Sequence, residues 1–351
     1  TMSKILITVP GKDARGGINS FYGATQPYYS SHITYLTRGS RNYPNRTGKM
    51  QQVLRVINDY IRFLIKIVIL DPRIIHINLT FDRRGILRDS LFILFASWKR
   101  RSRLLVFFHG WDKDYVSSLH GCFLRFVRSA IAKADTVIVL SDEFKKVLEA
   151  WGYTGSIQVL TTAVNNDLIR DITLDTVTGK ASGEGFCLLY LARVEKEKGI
   201  HIVLDTYRIL KSKYPGFRLI IAGDGTELEA VKQRVANEQL KDVEILGHLT
   251  GKKIREAYLA ADLYFFPTYY KEGLPTSVLE AVCFGLPVIT RPVAGIKDIF
   301  DNEKMGLMIS SRGANDFAAA IERIYTDKES RRKIITYNFH KGNSLFYRRK
   351  G

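Results

Sequence analysis

The sequence predicts an α/β protein made of two doubly wound, Rossmann-like domains, and three observations lead to this fold class. The chain has 351 residues, a length that favours two domains over one. Short apolar runs alternate with helical patterns, which is typical of βα units with parallel sheets. The runs fall into two series, separated by a polar stretch rich in small residues over 173–185. We interpret this stretch as a linker or as a loop just inside the second domain.

Each series contains six short apolar runs that predict strands. In the first series they span 5–9, 33–37, 74–79, 104–108, 136–140 and 157–160. In the second series they span 187–192, 218–222, 243–246, 263–266, 288–290 and 307–309. Helical patterns fill most of the gaps, notably 51–70 and 118–133. We therefore predict an N-terminal domain over 1–165, a C-terminal domain over 166–327 and a basic tail over 328–351.

The net charge of +18 is distributed unevenly. Residues 1–165 hold 24 Lys and Arg against 11 Asp and Glu, and the tail holds 8 against 1, whereas 166–327 hold 21 against 23. This distribution predicts an anionic partner for the first domain and the tail. The three cysteines lie in apolar segments, so we expect buried free thiols in a reducing compartment.

A basic cluster over 98–103 follows the apolar run 91–96, and Arg62 and Lys66 lie on another apolar helix. Basic and apolar faces together fit a helix lying on an anionic membrane surface. Equally, these helices could simply cover the first sheet. The apolar runs are too short to span a bilayer, and no signal peptide is visible. We expect a cytoplasmic protein, and peripheral attachment to the inner face of the cytoplasmic membrane stays open.

The segment 272–290 is the most informative in the chain. Glu272 lies on a predicted loop at the carboxyl end of a strand, where open α/β sheets bind ligands, and Glu280 lies in the helix that follows. Pro275 suits the first turn of that helix. The free N–H groups of the turn and the helix dipole favour an anion there. Carboxylates on both sides of an anion site suggest a ligand with hydroxyls around a phosphate, such as a nucleotide sugar.

This segment resembles the E-x7-E motif of retaining glycosyltransferases of the GT-B fold, most closely glycosyltransferase family 4, the glycosyl transferases group 1. The resemblance implies two Rossmann-like domains that face each other across a cleft. It also implies that Glu272 contacts the hydroxyls of the donor sugar and that Glu280 holds the ribose hydroxyls. The backbone N–H groups of Gly273 and Leu274 would lie near the phosphate or the sugar. The family commonly has Glu-Gly-Phe-Gly where this chain has Glu-Gly-Leu-Pro, which leaves the donor sugar open.

Two cations follow the first predicted strand of the second series. Arg193 and Lys198 lie at its carboxyl end, where positive charge favours the departure of a nucleoside diphosphate. The run Ala-Arg-x4-Lys-Gly resembles the family pattern in which Arg and Lys bind the diphosphate. Lys196, between them, reads as an ordinary surface residue.

Three further positions are predicted to bind the donor. Gly17 follows the first strand, and glycine there lets backbone N–H groups approach a phosphate. His109 ends the strand 104–108 and, by resemblance to the family, orients the donor sugar. Leu249 follows His248 in a loop where the family often uses backbone contacts to the nucleotide.

Asp112 and Asp114 form an Asp-x-Asp pattern that binds a metal and a nucleotide sugar in glycosyltransferases of the other major fold. We do not assign that role here, because this chain already has cations for the diphosphate. We therefore predict a reaction without metal and without a further cofactor.

The sequence thus predicts a retaining, metal-independent glycosyltransferase of the hexosyltransferase type. It would move a sugar from a nucleoside-diphosphate sugar to a glycan or lipid-linked acceptor in cell-surface polysaccharide synthesis. By resemblance, the tail returns to the first domain. One alternative is a nucleotide-sugar epimerase of the same fold, which would need a general acid and base at the sugar ring. The other is a non-enzymatic binder of polyanions or nucleic acid, although the basic clusters lie on helical patterns and we predict no nucleic-acid partner.

Overall fold

The computed structural model describes residues 4–11, 17–29, 31–39, 48–83, 85–179, 185–270, 273–293 and 295–346. Contacts divide the chain into two units, the first formed by Thr1–Ala163 with Lys271–Leu274 and the second by Val164–Tyr270 with Pro275–Gly351. The division after Ala163 lies two residues before the predicted boundary. The described residues of the predicted linker, 173–179 and 185, belong to the second unit, and 180–184 lie outside the described residues.

The described part of the first unit contains a parallel sheet with strand order β2-β1-β3-β4-β5-β6. Its strands are β1 Ile5–Pro10, β2 Ile33–Arg38, β3 Ile74–Phe81, β4 Arg103–Trp111, β5 Thr136–Val139 and β6 Ser156–Val159. Its helices are α1 Gly17–Thr25, α2 Lys49–Leu70, α3 Gly85–Ser97, α4 Lys113–Ser118, α5 Gly121–Ile131 and α6 Asp142–Ala150.

The described part of the second unit contains a parallel sheet with strand order β12-β11-β10-β7-β8-β9. Its strands are β7 Phe186–Leu191, β8 Phe217–Ala222, β9 Val243–Gly247, β10 Leu263–Phe266, β11 Val288–Thr290 and β12 Gly306–Met308. Its helices are α7 Asn166–Ile169, α8 Leu174–Thr178, α9 Ile200–Lys213, α10 Leu228–Asn237, α11 Lys252–Ala260, α12 Thr276–Cys283, α13 Ile296–Ile299, α14 Ala314–Thr326 and α15 Lys328–Phe346. The predicted fold class of two doubly wound domains is confirmed.

Helices cover both faces of each sheet, and this explains why the strands read as apolar runs rather than as alternating patterns. In β10 all four residues, Leu263–Phe266, are buried. β4 is the largest departure from the predicted strands, since it continues to Trp111, three residues beyond the predicted end.

Each sheet has one point at which the strand order reverses. In the first sheet it lies between β1 and β3, and in the second it lies between β7 and β10. The loops that leave these neighbouring strands diverge to opposite faces, so a crevice opens at the carboxyl ends of the strands. Ligands of open α/β sheets bind in such crevices.

The described part of the tail forms α15, which packs against α8 and α12 in the second unit. The side-chain amide of Asn338 donates to the carbonyl oxygens of Leu286 (2.8 Å) and Met305 (2.9 Å). A Cβ on Gly342 would lie 2.6 Å from the Cα of Cys283, so glycine permits the close crossing of α15 and α12. The prediction that the tail returns to the first domain is therefore wrong for residues 328–346.

The three cysteines are free, and Cys187 and Cys283 are buried as predicted. Cys122 is exposed, because it lies on the outer side of α5, so its predicted burial is wrong. None of the helices in the described residues combines the length and the apolar character needed to cross a membrane.

Candidate functional site

The predicted cations lie at the point of strand reversal in the second sheet. The loop after β7 contains Arg193 and Lys198, and the loop after β10 contains Tyr270. The Nζ atom of Lys198 lies 4.4 Å from the centroid of the Tyr270 ring, and the Cζ atom of Arg193 lies 5.7 Å from it. Both cations therefore contact one aromatic ring, at distances typical of cation–π interactions. The sequence had given no reason to select Tyr270.

Backbone geometry holds these two loops together. The loop after β7 ends in a single 3-10 turn, Lys196–Lys198, which Gly199 closes with a φ of 83°. A Cβ on residue 199 would lie 2.5 Å from the carbonyl oxygen of Pro267, so both the backbone angle and the space require glycine. The carbonyl oxygen of Glu197 accepts hydrogen bonds from the N–H groups of Tyr269 and Tyr270, both at 2.9 Å. These bonds fix the Tyr270 loop against the cationic turn.

The two cations differ in their surroundings. Lys198 is only 8% exposed, whereas the side chain of Arg193 is 54% exposed and lies 3.9 Å from a carboxylate oxygen of Glu195. Burial reduces the screening of a charge by water, so Lys198 acts more strongly on a nearby anion than a surface lysine. Lys196 in the same turn is exposed, in agreement with its prediction as a surface residue.

Glu280 lies on α12, and its side chain is partly exposed. The hydroxyl of Tyr258 donates to its Oε2 atom at 2.8 Å. Partial burial removes water from the carboxyl group and raises the pKa of Glu280, and the hydrogen bond from Tyr258 opposes this rise. The hydroxyl of Tyr258 also lies 3.1 Å from the carbonyl oxygen of Ser277, so Tyr258 fixes the carboxylate relative to the first turn of α12. Among the described residues, no further hydrogen bond to the Glu280 carboxylate is found.

The first turn of α12 is linked to the end of β7. The hydroxyl of Tyr264 lies 3.0 Å from the carbonyl oxygen of Leu191 and 2.7 Å from the Oγ atom of Ser277. Pro275 is the N-cap of α12 and makes no side-chain cap, so its predicted position within the first turn is wrong by one residue. The side chain of Pro275 has no atom that can accept a hydrogen bond from the N–H groups of this turn. The start of α12 therefore suits an anionic ligand.

The remaining predicted positions of this region are Leu249, Gly273 and Leu274, which are all buried. Leu249 lies in the loop between β9 and α11, the helix that provides Tyr258. Residues 273–274 belong to the first unit, where a Cβ on Gly273 would lie 2.9 Å from the carbonyl oxygen of His109. Glu272 lies outside the described residues.

In the first unit, His109 lies near the end of β4, and its ring is held by Asn78 of β3. The Nε2 atom of His109 lies 2.8 Å from Oδ1 of Asn78, whose Nδ2 donates to the carbonyl oxygen of Thr8 and to the hydroxyl of Tyr22, both at 2.7 Å. Since a carbonyl can only accept, the amide orientation is fixed and Oδ1 must accept from Nε2–H. The Nδ1 atom of His109 is then an acceptor.

Burial, with smaller contributions from the neighbouring His76 and Arg38, lowers the pKa of His109 to about 3. His109 is therefore neutral at physiological pH and suits the acceptance of a hydroxyl hydrogen rather than proton transfer. Sequence reasoning missed Asn78, although an asparagine in the middle of a largely apolar strand was a usable signal.

Gly17 is the first residue of α1, directly after the loop that leaves β1. No atom lies within 4 Å of the position that its Cβ would occupy, so glycine is not required there by packing. Asp112 is the N-cap of α4, and its Oδ1 accepts from the N–H of Tyr115 at 3.1 Å. The carboxylate of Asp112 therefore has a local structural use.

We expect the first unit to lose stability below about pH 6.5 because of this buried histidine. In the unfolded chain the imidazole of His109 takes up a proton near its ordinary pKa of 6.5, whereas in the folded state its pKa is about 3. Stability therefore falls as the pH falls, by about 1–2 kcal/mol at pH 5. His109→Gln, which still donates to Asn78, should flatten the dependence of the unfolding temperature on pH between 7.5 and 5. His120→Gln, at an exposed position of the same unit, is the matched control, and equal slopes in all three proteins would contradict the assignment.

Comparison with known proteins finds a family model that matches part of the chain. Residues 176–341 match the family model described as Glycosyl transferases group 1. The chain is similar to a glycogen synthase of Mycobacterium tuberculosis, with 30% identity over 141 residues that cover 40% of this chain and 34% of that protein. It is also similar to WcaL of Salmonella typhimurium, a putative colanic acid biosynthesis glycosyltransferase, with 24% identity over 246 residues, 67% of this chain and 59% of that protein. The chain thus spans between about a third and three fifths of the length of these relatives.

The fold is shared over nearly the whole chain. HepE of Anabaena, solved in complex with UDP and glucose, superposes with a TM-score of 0.72 at 16% identity and covers 98% of this chain and 96% of that one. The family match includes Arg193, Lys198 and Glu280, the residues that the structure places around the start of α12 and the Tyr270 loop. Residues 176–341 thus match the model of the glycosyl transferases group 1, the family that the motifs resemble, and the architecture of the chain is the GT-B fold.

Proposed function

We propose that this protein is a retaining, metal-independent glycosyltransferase that moves a sugar from a nucleoside-diphosphate sugar to a glycan or lipid-linked acceptor. The observation on which this proposal depends most is the pair of cations, Arg193 and Lys198, around Tyr270 at the reversal point between β7 and β10. The relatives named for glycogen and colanic acid synthesis support polysaccharide formation as the setting.

The cations match the charge that develops in such a reaction. When the bond between the sugar C1 and the diphosphate oxygen breaks, negative charge accumulates on the departing diphosphate. Lys198, which is buried, and Arg193, which is accessible, stabilise that charge without having to reorganise. This is the task that a divalent cation performs in other phosphate-transferring sites, and it is the basis for proposing that no metal is required.

The carboxylates and backbone groups provide the remaining contacts to the donor. Glu280, fixed by Tyr258 and partly accessible, accepts hydrogen bonds from the ribose hydroxyls, which offset the cost of its desolvation. Glu272 contacts the sugar hydroxyls, and the N–H groups of Gly273 and Leu274 lie near the sugar or the phosphate. Leu249 contributes a backbone contact to the nucleotide, and the N–H groups at the start of α1, beginning at Gly17, approach the diphosphate. The presence of UDP with HepE supports UDP as the carrier.

His109 orients the sugar in this proposal and does not transfer a proton. Its Nδ1 atom accepts a hydrogen bond from a sugar hydroxyl, because Asn78 occupies the Nε2–H group. As the new bond forms between C1 and the acceptor oxygen, the departing phosphate takes the acceptor's proton. Attack on the face that the phosphate leaves retains the configuration at C1.

A screen of donors tests the proposal directly. Thermal unfolding is measured with UDP, GDP, ADP and CMP in the presence of EDTA, and release of nucleotide is then followed from the matching sugar donors. We expect one nucleoside diphosphate to raise the unfolding temperature and its donor to be hydrolysed slowly, with the sugar released in its original anomeric configuration.

Other outcomes would correct specific parts of the proposal. No stabilisation by any nucleotide in a folded sample would contradict the site itself. Activity that EDTA abolishes and Mg²⁺ restores would contradict metal independence. Conversion of the donor into its epimer without loss of the nucleotide would show the epimerase instead.

A further inference from the structure

Helix α2 of the first unit is apolar on two opposite faces. One face packs in the core through Phe63 and Ile67. The opposite face exposes eight large apolar side chains, each between 47% and 77% accessible. We call these residues the outer stripe: Met50, Val53, Leu54, Ile57, Ile61, Ile65, Val68 and Ile69.

The outer stripe is unusual for a helix at the surface of a protein in water. Such helices place polar residues on the face opposite the core. The spacing of three and four residues aligns the outer stripe along all 22 residues of α2, a length of about 33 Å. A continuous exposed apolar surface of this size marks an interaction site.

Apart from the buried Asp59, the charged residues of α2 are all cations. Arg55, Arg62 and Lys66 are spaced seven and four residues apart, so they lie along the same flank of α2, and Lys49 lies at its start. The acidic residue of α2, Asp59, is buried and accepts hydrogen bonds from the N–H of Gly39 and from Arg62. No carboxylate of α2 therefore faces the solvent beside the outer stripe.

A second basic segment adjoins the carboxyl end of the outer stripe. The ammonium group of Lys99 lies 2.6 Å from a carboxylate oxygen of Asp71, the residue that caps α2, and Ser102 Oγ donates to the carbonyl oxygen of Pro72 at 2.5 Å. These contacts hold the segment 98–102 at the residues that directly follow α2, the helix on which the outer stripe ends at Val68 and Ile69. Within it, Trp98 is 81% exposed and is followed by the exposed cations Arg100 and Arg101.

We propose that the outer stripe and Trp98 form a membrane-binding surface on which α2 lies in the plane of an anionic bilayer. The apolar side chains would enter the boundary between headgroups and acyl chains, and Trp98 would occupy the interface that tryptophan favours. Arg55, Arg62, Lys66, Arg100 and Arg101 would face the anionic headgroups. The surface is independent of the nucleotide-sugar site proposed above.

Charge decides between a membrane and a second copy of this chain. Two outer stripes packed on each other would bring two rows of cations together with no solvent-exposed carboxylate on either helix, and like charges at an interface are costly. Anionic headgroups, by contrast, complement the positive flank. The helix cannot cross the bilayer, since four cations are distributed along it, but it can lie on the bilayer.

Vesicle binding tests this surface. The full chain is sedimented with phosphatidylcholine vesicles, with and without phosphatidylglycerol, at about 0.1 M salt and again at about 0.5 M. We expect binding to the anionic vesicles, which the higher salt weakens. The double variant Ile61→Gln/Ile65→Gln should lower the partition coefficient on the order of tenfold or more. Val159→Gln/Leu160→Gln, which removes two exposed apolar side chains elsewhere in the same unit, is the matched control and should bind as the wild type does.

A separate variant isolates the electrostatic part. Arg100→Gln/Arg101→Gln should weaken binding to anionic vesicles and reduce the effect of salt. Light scattering of the same proteins without vesicles measures self-association. A wild-type dimer that Ile61→Gln/Ile65→Gln converts into a monomer, with no vesicle binding, would overturn the proposal in favour of a contact between copies.

Equal binding of wild type and Ile61→Gln/Ile65→Gln would overturn it as well, and so would binding that phosphatidylglycerol does not strengthen. Circular dichroism and the stabilisation by nucleotide confirm that each variant is folded. Because vesicle binding is measured without a donor and donor hydrolysis without vesicles, failure of one proposal leaves the other unaffected.

Discussion

Replacing Lys198 by methionine is expected to lower the rate of sugar transfer about 10²- to 10³-fold, the usual effect of removing one preorganised group that stabilises transition-state charge. Methionine is similar in length and can occupy the buried space of the lysine stem. The change therefore removes the ammonium group and its contacts, among them the contact with Tyr270, 4.4 Å away. The measurement is kcat and kcat/KM with the donor identified by the screen, and both should fall.

The matched control for this prediction is Lys196→Met. It removes the same charge from the same 3-10 turn at an exposed position, so it should leave kcat within about twofold, as surface charges in water act weakly. Equal losses in the two variants would show that only the net positive charge of the turn matters. Full activity of Lys198→Met would remove Lys198 from the site.

Glu280→Gln is expected to weaken the binding of the nucleoside diphosphate about 10- to 100-fold, because hydrogen bonds to a charged acceptor contribute more than those to a neutral one. The same change should stabilise the protein at neutral pH. Desolvation raises the pKa of Glu280 in the folded state, so above that pKa the wild type must keep a partly buried carboxylate ionised. Glutamine avoids this cost and still accepts from Tyr258.

The raised pKa of Glu280 determines in which direction the gain in stability changes with pH. A carboxyl with a raised folded pKa binds more protons in the folded state, so its contribution to stability is lost as the pH rises through that pKa. The advantage of Glu280→Gln should therefore be largest at neutral pH and disappear as the pH falls towards 4.5, the ordinary value for this side chain. Calorimetry at several pH values measures it, with Glu229→Gln, exposed on α10, as the control. A variant that binds nucleotide normally and gains no stability would refute the assignment.

The positions of the site residues followed from the strand pattern, whereas their partners did not. Arg193 and Lys198 were predictable because a residue after a parallel strand must lie at the carboxyl edge of the sheet. Tyr270, which contacts both, lies about 70 residues further along the chain, and only the pairing of β7 with β10 brings it beside them. Likewise, Tyr258 reaches Glu280 only because α11 and α12 are neighbours.

The tail shows the limit of an argument from family likeness. The resemblance implied a return to the first domain. Instead, Asn338 donates to carbonyl groups of the second unit, and Gly342 allows α15 to cross α12 closely. A single asparagine and a single glycine predict little from the sequence, because what they contribute to helix packing depends on the element that α15 contacts.

By itself, the sequence determined the two series of strands, the fold class and the chemical type of each candidate residue, because strands buried on both faces must be apolar and loops at their ends need not be. The tertiary structure decided which distant residues share a site, and which face of α2 is turned outwards. The sequence shows α2 only as an apolar helix with cations. One apolar face of α2 packs in the core of the first unit. The opposite apolar face remains exposed because no described element covers it.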